Sequence, residues 1–133
     1  MKLQIQIIGY LFILLSIVHI IFPKYFRWKE DLKQISLINR ELMYVHTFFI
    51  AVTVFLMGLL CITASEDMIV TELGKKISFG FGVFWFLRLL IQFFGYSSEL
   101  WKGKTFETAV HILFSIFWMY TTALFFAVSL LDY

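Results

Sequence analysis

Four apolar stretches constrain what this chain can fold into more than any other feature. They cover roughly residues 3–22, 41–64, 76–96 and 106–131. Each has the length that a helix rising about 1.5 Å per residue needs to cross about 30 Å of hydrocarbon. Strands are disfavoured, because a membrane barrel would show segments of about 10 residues with alternating polarity.

The composition points to lipid as the solvent for these stretches. The chain is 61% hydrophobic and 15% charged, whereas soluble domains have about 45–50% apolar and about 25% charged residues. A chain of 133 residues is too small to hide that much apolar surface, since small chains bury proportionally less of themselves. We therefore predict an all-α fold, an antiparallel bundle of four transmembrane helices forming a single integral membrane domain over residues 1–133.

The connections between the stretches differ in character. Residues 23–40 mix aromatic and aliphatic side chains with charges, which predicts a short amphipathic segment in the headgroup region between helices 1 and 2. Residues 97–104 predict a tight hairpin with Trp101 as an anchor at the membrane interface.

The distribution of Lys and Arg predicts the orientation. The first and third connections carry seven such residues, Lys24, Arg27, Lys29, Lys33, Arg40, Lys102 and Lys104. The opposite side carries three, Lys2, Lys75 and Lys76. Because the more basic side is usually cytoplasmic, we expect a multi-pass protein of the cell (inner) membrane with both termini on the periplasmic or outer side.

Polar residues inside the stretches fall at similar depths. His19, His46, Gln92 and His111 each lie about 6–8 Å inside the same predicted boundary, and Arg88 lies one turn deeper. Helical spacing places each of them on the most polar stripe of its helix. Lipid disfavours such stripes, so we expect them to converge on one buried site in the cytoplasmic half of the bundle.

Arg88 needs a partner in this setting, because an unpaired charge within a membrane is costly. The nearest acidic residues in the predicted arrangement are Glu107 and Glu41, and a bound anionic ligand is the other possibility. The cluster also has a structural interpretation, in which the polar side chains hold only one another and fix the helix register.

The sequence does not identify a cofactor. His19, His46 and His111, with Glu107, have side chains of the kind that bind zinc or iron, but no HxxxH or HExxH motif supports this metal site. Two of the histidines could instead ligate a haem. The single cysteine, Cys61, excludes an intramolecular disulfide and a cysteine-cluster metal site. No basic tract indicates nucleic-acid binding.

Two segments resemble a known group of proteins. Residues 37–60, LINRELMYVHTFFIAVTVFLMGLL, and residues 84–96, FWFLRLLIQFFGY, are similar to a family of uncharacterised small bacterial integral membrane proteins with four helices. The resemblance implies no activity, but it adds two residues to the set of interest. The candidate ligand-binding residues are therefore His19, His46, Arg88, Gln92, His111, Glu107, Asn39 and Arg40.

Three functions are compatible with these features. The first is a non-catalytic accessory or ligand-binding subunit of a larger membrane assembly, which fits the small size and short loops. The second is a membrane enzyme or redox protein that uses a metal or haem on a lipid-soluble substrate. The third is an oligomeric pore or proton conductor. The expected partners are the lipid bilayer and either other membrane subunits or further copies of the chain, and enzymatic activity stays open.

Overall fold

The structure is a computed structural model that describes residues 1–131, and this range is helical nearly throughout, with no strand. Its four long helices are α1 (Lys2–Tyr25), α3 (Leu37–Thr63), α5 (Glu72–Leu90) and α6 (Thr105–Leu130). A π-helical turn at Ile91–Gly95 continues α5. All four are long and apolar enough to cross a membrane, as predicted. Residues 132 and 133 of the predicted domain lie outside the described part.

Two of the long helices begin at side-chain caps. The Ser36 hydroxyl accepts a hydrogen bond from the Asn39 backbone N–H at 3.4 Å, and the Thr71 hydroxyl accepts one from the Gly74 N–H at 2.9 Å. Such caps satisfy backbone donors that the first turn leaves without a partner. They explain why α3 and α5 begin at Leu37 and Glu72, upstream of the predicted starts.

Helix α1 continues past Pro23, where the sequence predicted its end, and reaches Tyr25. Proline has no N–H, so the hydrogen bond to the His19 carbonyl is lost. The hydrogen-bond ladder continues beyond Pro23, since the Phe26 N–H donates to the Phe22 carbonyl at 2.9 Å. A single missing bond near the helix end therefore does not terminate α1.

Short helices occupy two of the connections. The predicted interfacial segment contains α2 (Trp28–Asp31) and a 3-10 turn at Leu32–Gln34. Arg27 precedes α2 in the left-handed conformation, with φ of 57°, and separates it from α1. The second connection contains α4 (Ser65–Val70), a helix that the sequence pattern did not predict.

The chain divides into two compact units, here called the N-terminal unit (residues 2–65) and the C-terminal unit (from residue 66). In the N-terminal unit α1 packs against α3, and their backbones approach closely at Gly9 and Gly58. A methyl group added at Gly58 would lie 2.6 Å from the Gly9 carbonyl oxygen, so the close approach requires the absence of side chains.

In the C-terminal unit α5 packs against α6 through aromatic side chains. The rings of Phe81 and Phe125 are 5.3 Å apart, and those of Trp85 and Trp118 stack at 4.8 Å. Further along, Gln92 meets His111. Residues further along α5 therefore contact residues earlier in α6.

Candidate functional site

Three of the candidate residues form one hydrogen-bonded chain in the C-terminal unit. Arg88 donates from Nη1 to Oε1 of Gln92 at 3.2 Å. Gln92 Nε2 lies 3.0 Å from Nδ1 of His111 and donates to the His111 carbonyl oxygen at 3.3 Å. The sequence-predicted residues Arg88, Gln92 and His111 are therefore brought together, and Gln92 links α5 to α6.

The local backbone explains why Gln92 can make these contacts. Gln92 lies in the π-helical turn that follows α5 and is only 5% exposed. A π turn is wider than an α turn and is found frequently at functional sites. On the opposite helix, the Ser115 hydroxyl donates to the same His111 carbonyl at 2.7 Å, so this carbonyl accepts two side-chain hydrogen bonds.

The donor and acceptor directions along these hydrogen bonds determine the tautomer of His111. Arginine can only donate, so the Gln92 oxygen must face Arg88 and the Gln92 NH₂ group must face His111. Nδ1 of His111 then accepts a hydrogen bond, and a neutral imidazole carries its proton on the other nitrogen, Nε2. His111 thus presents an N–H donor at Nε2.

Aromatic rings contact Arg88 and His111, the two ends of this hydrogen-bonded set of residues. Trp101 stacks on His111 with ring centroids 3.8 Å apart and planes 10° from parallel, and Phe93 meets the same imidazole edge-on at 6.4 Å. The Arg88 guanidinium carbon lies 5.2 Å from the Trp118 ring and 5.5 Å from the Tyr96 ring. Such cation–π contacts stabilise a cation in apolar surroundings.

No carboxylate in the described part of this unit pairs with Arg88. Glu107, one of the candidate partners of Arg88, belongs to the first turn of α6, is exposed, and forms no ion pair with Arg88 in the described structure. Glu41, the other acidic candidate, belongs to the N-terminal unit. The partners of Arg88 within its own unit are a neutral amide and two rings.

The remaining candidates lie in the N-terminal unit. The half-buried His19 contacts the Leu15 carbonyl through Nδ1 at 2.9 Å, and its ring lies 4.8 Å from that of Phe22. His46 and Asn39 are exposed. Arg40 is half-buried, and its buried Nε has no hydrogen-bond partner among the described residues. The predicted convergence of His19 and His46 with the C-terminal residues remains a prediction.

The described residues contain no group of three His, Cys, Asp or Glu side chains arranged to hold a metal ion. The metal set considered from the sequence, His19, His46 and His111, draws on both units and also remains a prediction. Within the C-terminal unit the chemistry is that of a cation, an amide and a neutral imidazole, which suits binding and orientation of a polar group.

No protein-family model, curated protein or solved protein structure matches this chain.

Proposed function

We propose that the protein is a multi-pass integral membrane protein whose four long helices form an antiparallel bundle. The apolar character of the helices supports insertion, and many of their large side chains, such as Phe48, Phe84 and Ile116, are exposed. Residues further along α5 contact residues earlier in α6, which supports antiparallel packing of these two helices. The Lys and Arg distribution supports an inner-membrane orientation with both termini outside, and residues 37–60 and 84–96 support membership of the small bacterial family that they resemble.

Within this setting, we propose that the protein is a non-catalytic ligand-binding subunit of a larger membrane assembly. One observation supports ligand binding above all. Arg88, within the α5 span, is held by Gln92 and by aromatic rings, and no carboxylate in the described part of its unit neutralises it. A charge inside the membrane is costly to insert, about 2.5–3.5 kcal/mol for Arg on insertion scales. A bound ligand that neutralises Arg88 would offset this cost.

The test is to purify the protein in mild detergent and identify the molecules that accompany it by native mass spectrometry. We expect the wild-type protein and Lys76→Leu to retain a small molecule that Arg88→Leu loses. Lys76→Leu is a matched control, because it removes a positive charge from an exposed position on the same helix. The same sample should also retain larger membrane proteins.

Equal ligand content in Arg88→Leu and wild type would contradict the binding function. A haem absorption band or stoichiometric metal would favour the enzyme or redox alternative instead. The absence of any accompanying protein under conditions that preserve the ligand would contradict the subunit role alone.

A further inference from the structure

The polar groups beside Arg88 retain hydrogen-bond donors without described protein acceptors. Both N–H bonds of the Gln92 amide are used, one toward the His111 ring and one toward its carbonyl. In contrast, Arg88 has a described hydrogen bond only from Nη1, and His111 presents N–H at Nε2. Trp118, whose ring lies under the guanidinium, is only 3% exposed and contributes its ring face to the site. A ligand that binds the remaining donors of Arg88 must be a hydrogen-bond acceptor.

The orientation of Arg88 narrows the kind of acceptor. Gln92 occupies Nη1, and the rings of Tyr96 and Trp118 are close to the guanidinium carbon. The Nε and Nη2 donors form the remaining two-pronged edge. This edge matches the two oxygens of a carboxylate or a phosphate in a bidentate contact.

The depth of Arg88 in the membrane favours a carboxylate over a phosphate as this acceptor. Arg88 precedes Gly95, the end of the α5 span, by seven residues, which places it about 10 Å along the helix from that end. A phosphodiester keeps its charge and stays with the headgroups, whereas a carboxylic acid can enter hydrocarbon as the neutral acid and ionise beside Arg88. Leu87 and Ile91 next to the site are 54% and 48% exposed and provide apolar surface for a hydrocarbon chain.

We propose that Arg88 binds the carboxylate of a lipid-soluble acid through its Nε and Nη2 donors. This inference rests on the ligand-binding function proposed above and names the chemical class of the ligand. Arg88 supplies the charge and the two-pronged contact, while Gln92 is a positioning residue that orients Arg88 and His111.

Tryptophan quenching by brominated lipids tests the class directly, because Trp85 and Trp118 lie beside Arg88. The probes are dibromostearic acid, the corresponding dibromostearyl alcohol, and phosphatidylglycerol with dibrominated chains. Each is titrated into the detergent-solubilised full chain carrying Trp28→Phe, which removes a tryptophan outside the C-terminal unit. We expect saturable quenching by the acid that is at least about tenfold weaker in Arg88→Leu, as for loss of a charge-assisted hydrogen bond.

Two variants make the result specific. Lys76→Leu should bind the acid like the parent protein. Arg88→Lys keeps the charge but removes the two-pronged edge, so it should bind the acid more weakly than the parent while leaving the response to the alcohol unchanged. Because Arg88→Lys keeps a cation at this position, it also tests the proposal if Arg88→Leu fails to fold.

The outcomes separate this inference from the proposed function. Arg88-dependent binding of the alcohol as strongly as the acid would overturn the carboxylate class. Arg88-dependent binding of phosphatidylglycerol alone would assign the site to a lipid phosphate and also overturn it. In both cases the ligand-binding function stands. If no probe binds in an Arg88-dependent way, the inference is overturned, and the mass-spectrometric experiment then decides whether the binding function also fails.

Discussion

At the scale of single residues, Gln92 is the centre of the site. Its oxygen accepts from Arg88 and its nitrogen reaches both the ring and the carbonyl of His111. A single amide side chain thus fixes a cation on one helix and the tautomer of an imidazole on the next. Leucine at this position would have a similar size but would leave Arg88 Nη1 and His111 Nδ1 without a described hydrogen-bond partner, while the His111 carbonyl would keep only the Ser115 hydroxyl.

We expect Gln92→Leu to lower the stability of the detergent-solubilised protein by about 1–2 kcal/mol, the range reported for polar contacts between membrane helices in model peptides. Thermal unfolding followed by circular dichroism measures the change. Gln4→Leu is the control, because Gln4 is exposed on α1 and its replacement should have little effect. An equal loss in both variants would show that the Gln92 contacts contribute nothing specific.

The same contacts can be measured as a pair. His111→Phe retains a ring that can stack on Trp101 but removes the acceptor at Nδ1. In a double-mutant cycle with Gln92→Leu, we expect a coupling free energy of about 0.6 kcal/mol and at most about 1.7 kcal/mol, the average and maximum for polar pairs between membrane helices. Additive effects would mean that the hydrogen bond between the two side chains is not formed.

Much of this site could be predicted from helical spacing. Arg88 and Gln92 are four residues apart and so share a face, and similar depth placed His111 opposite them. The stacking of Trp101 on His111 could not be predicted in this way. Trp101 lies in the connection before α6, and its contact depends on how that connection folds back, which neither periodicity nor depth determines.

At the scale of secondary-structure elements, the N-terminal unit depends on the close approach of α1 and α3. A methyl group at Gly9 would lie 2.8 Å from the Gly58 carbonyl oxygen, and one at Gly58 would lie 2.6 Å from the Gly9 carbonyl oxygen. Both distances are too short for a side chain, so any substitution must separate the helices. Small residues at helix contacts of this kind allow tight packing in membranes.

Two glycine substitutions should therefore have different effects on stability. Gly58→Ala should destabilise the protein by about 1–3 kcal/mol, the usual effect of overpacking. Gly80→Ala should be neutral or stabilising by up to about 1 kcal/mol, because nothing lies within 4 Å of the added methyl group and alanine has the higher helix propensity. Thermal unfolding of the two variants checks this, and equal effects would contradict the close approach.

The segment between α1 and α3 provides a second prediction at this scale. Phe26 and Ile35 are exposed on it, while Leu32 is buried. Exposed aromatic and aliphatic side chains next to lysines favour the headgroup region. Spin labels at Phe26 and Ile35, in protein reconstituted into bilayers, should show headgroup depth by their accessibility to oxygen and to a water-soluble nickel complex. Accessibility typical of bulk water would contradict the interfacial position.

The sequence predicted the long helices better than it predicted where they end or change form. Length and apolar character predicted all four long helices, because only long apolar runs can cross lipid as helices. The continuation of α1 beyond Pro23 and the π turn at Ile91–Gly95 were not predicted. Both depend on a balance of one or two backbone hydrogen bonds, which residue type alone does not specify.

At the scale of the whole molecule, the proposed topology follows from the number of spans and from charge. The four candidate spans would make an even number of crossings in the proposed topology, so both ends of the described chain should lie on one side of the membrane. The connections that include Lys33 and Lys102 should lie on the other, more basic side, which is cytoplasmic by the usual distribution of positive charge.

Cysteine accessibility in intact cells tests this topology. The background is Cys61→Ala, which removes the only native cysteine, a buried one, and single cysteines are then placed at Lys2, Lys33, Lys102 and Leu131. A membrane-impermeant maleimide should label positions 2 and 131 from outside the inner membrane, after the outer membrane has been made permeable. Positions 33 and 102 should react only after the inner membrane is also permeabilised.

Labelling of 2 and 131 from opposite sides would mean that one helix does not cross, whereas reversed labelling of all four positions would retain the four spans and invert the orientation. The second result would also move the Arg88 site, which lies toward the same end of its span as Lys102, from the cytoplasmic half of the membrane to the outer half.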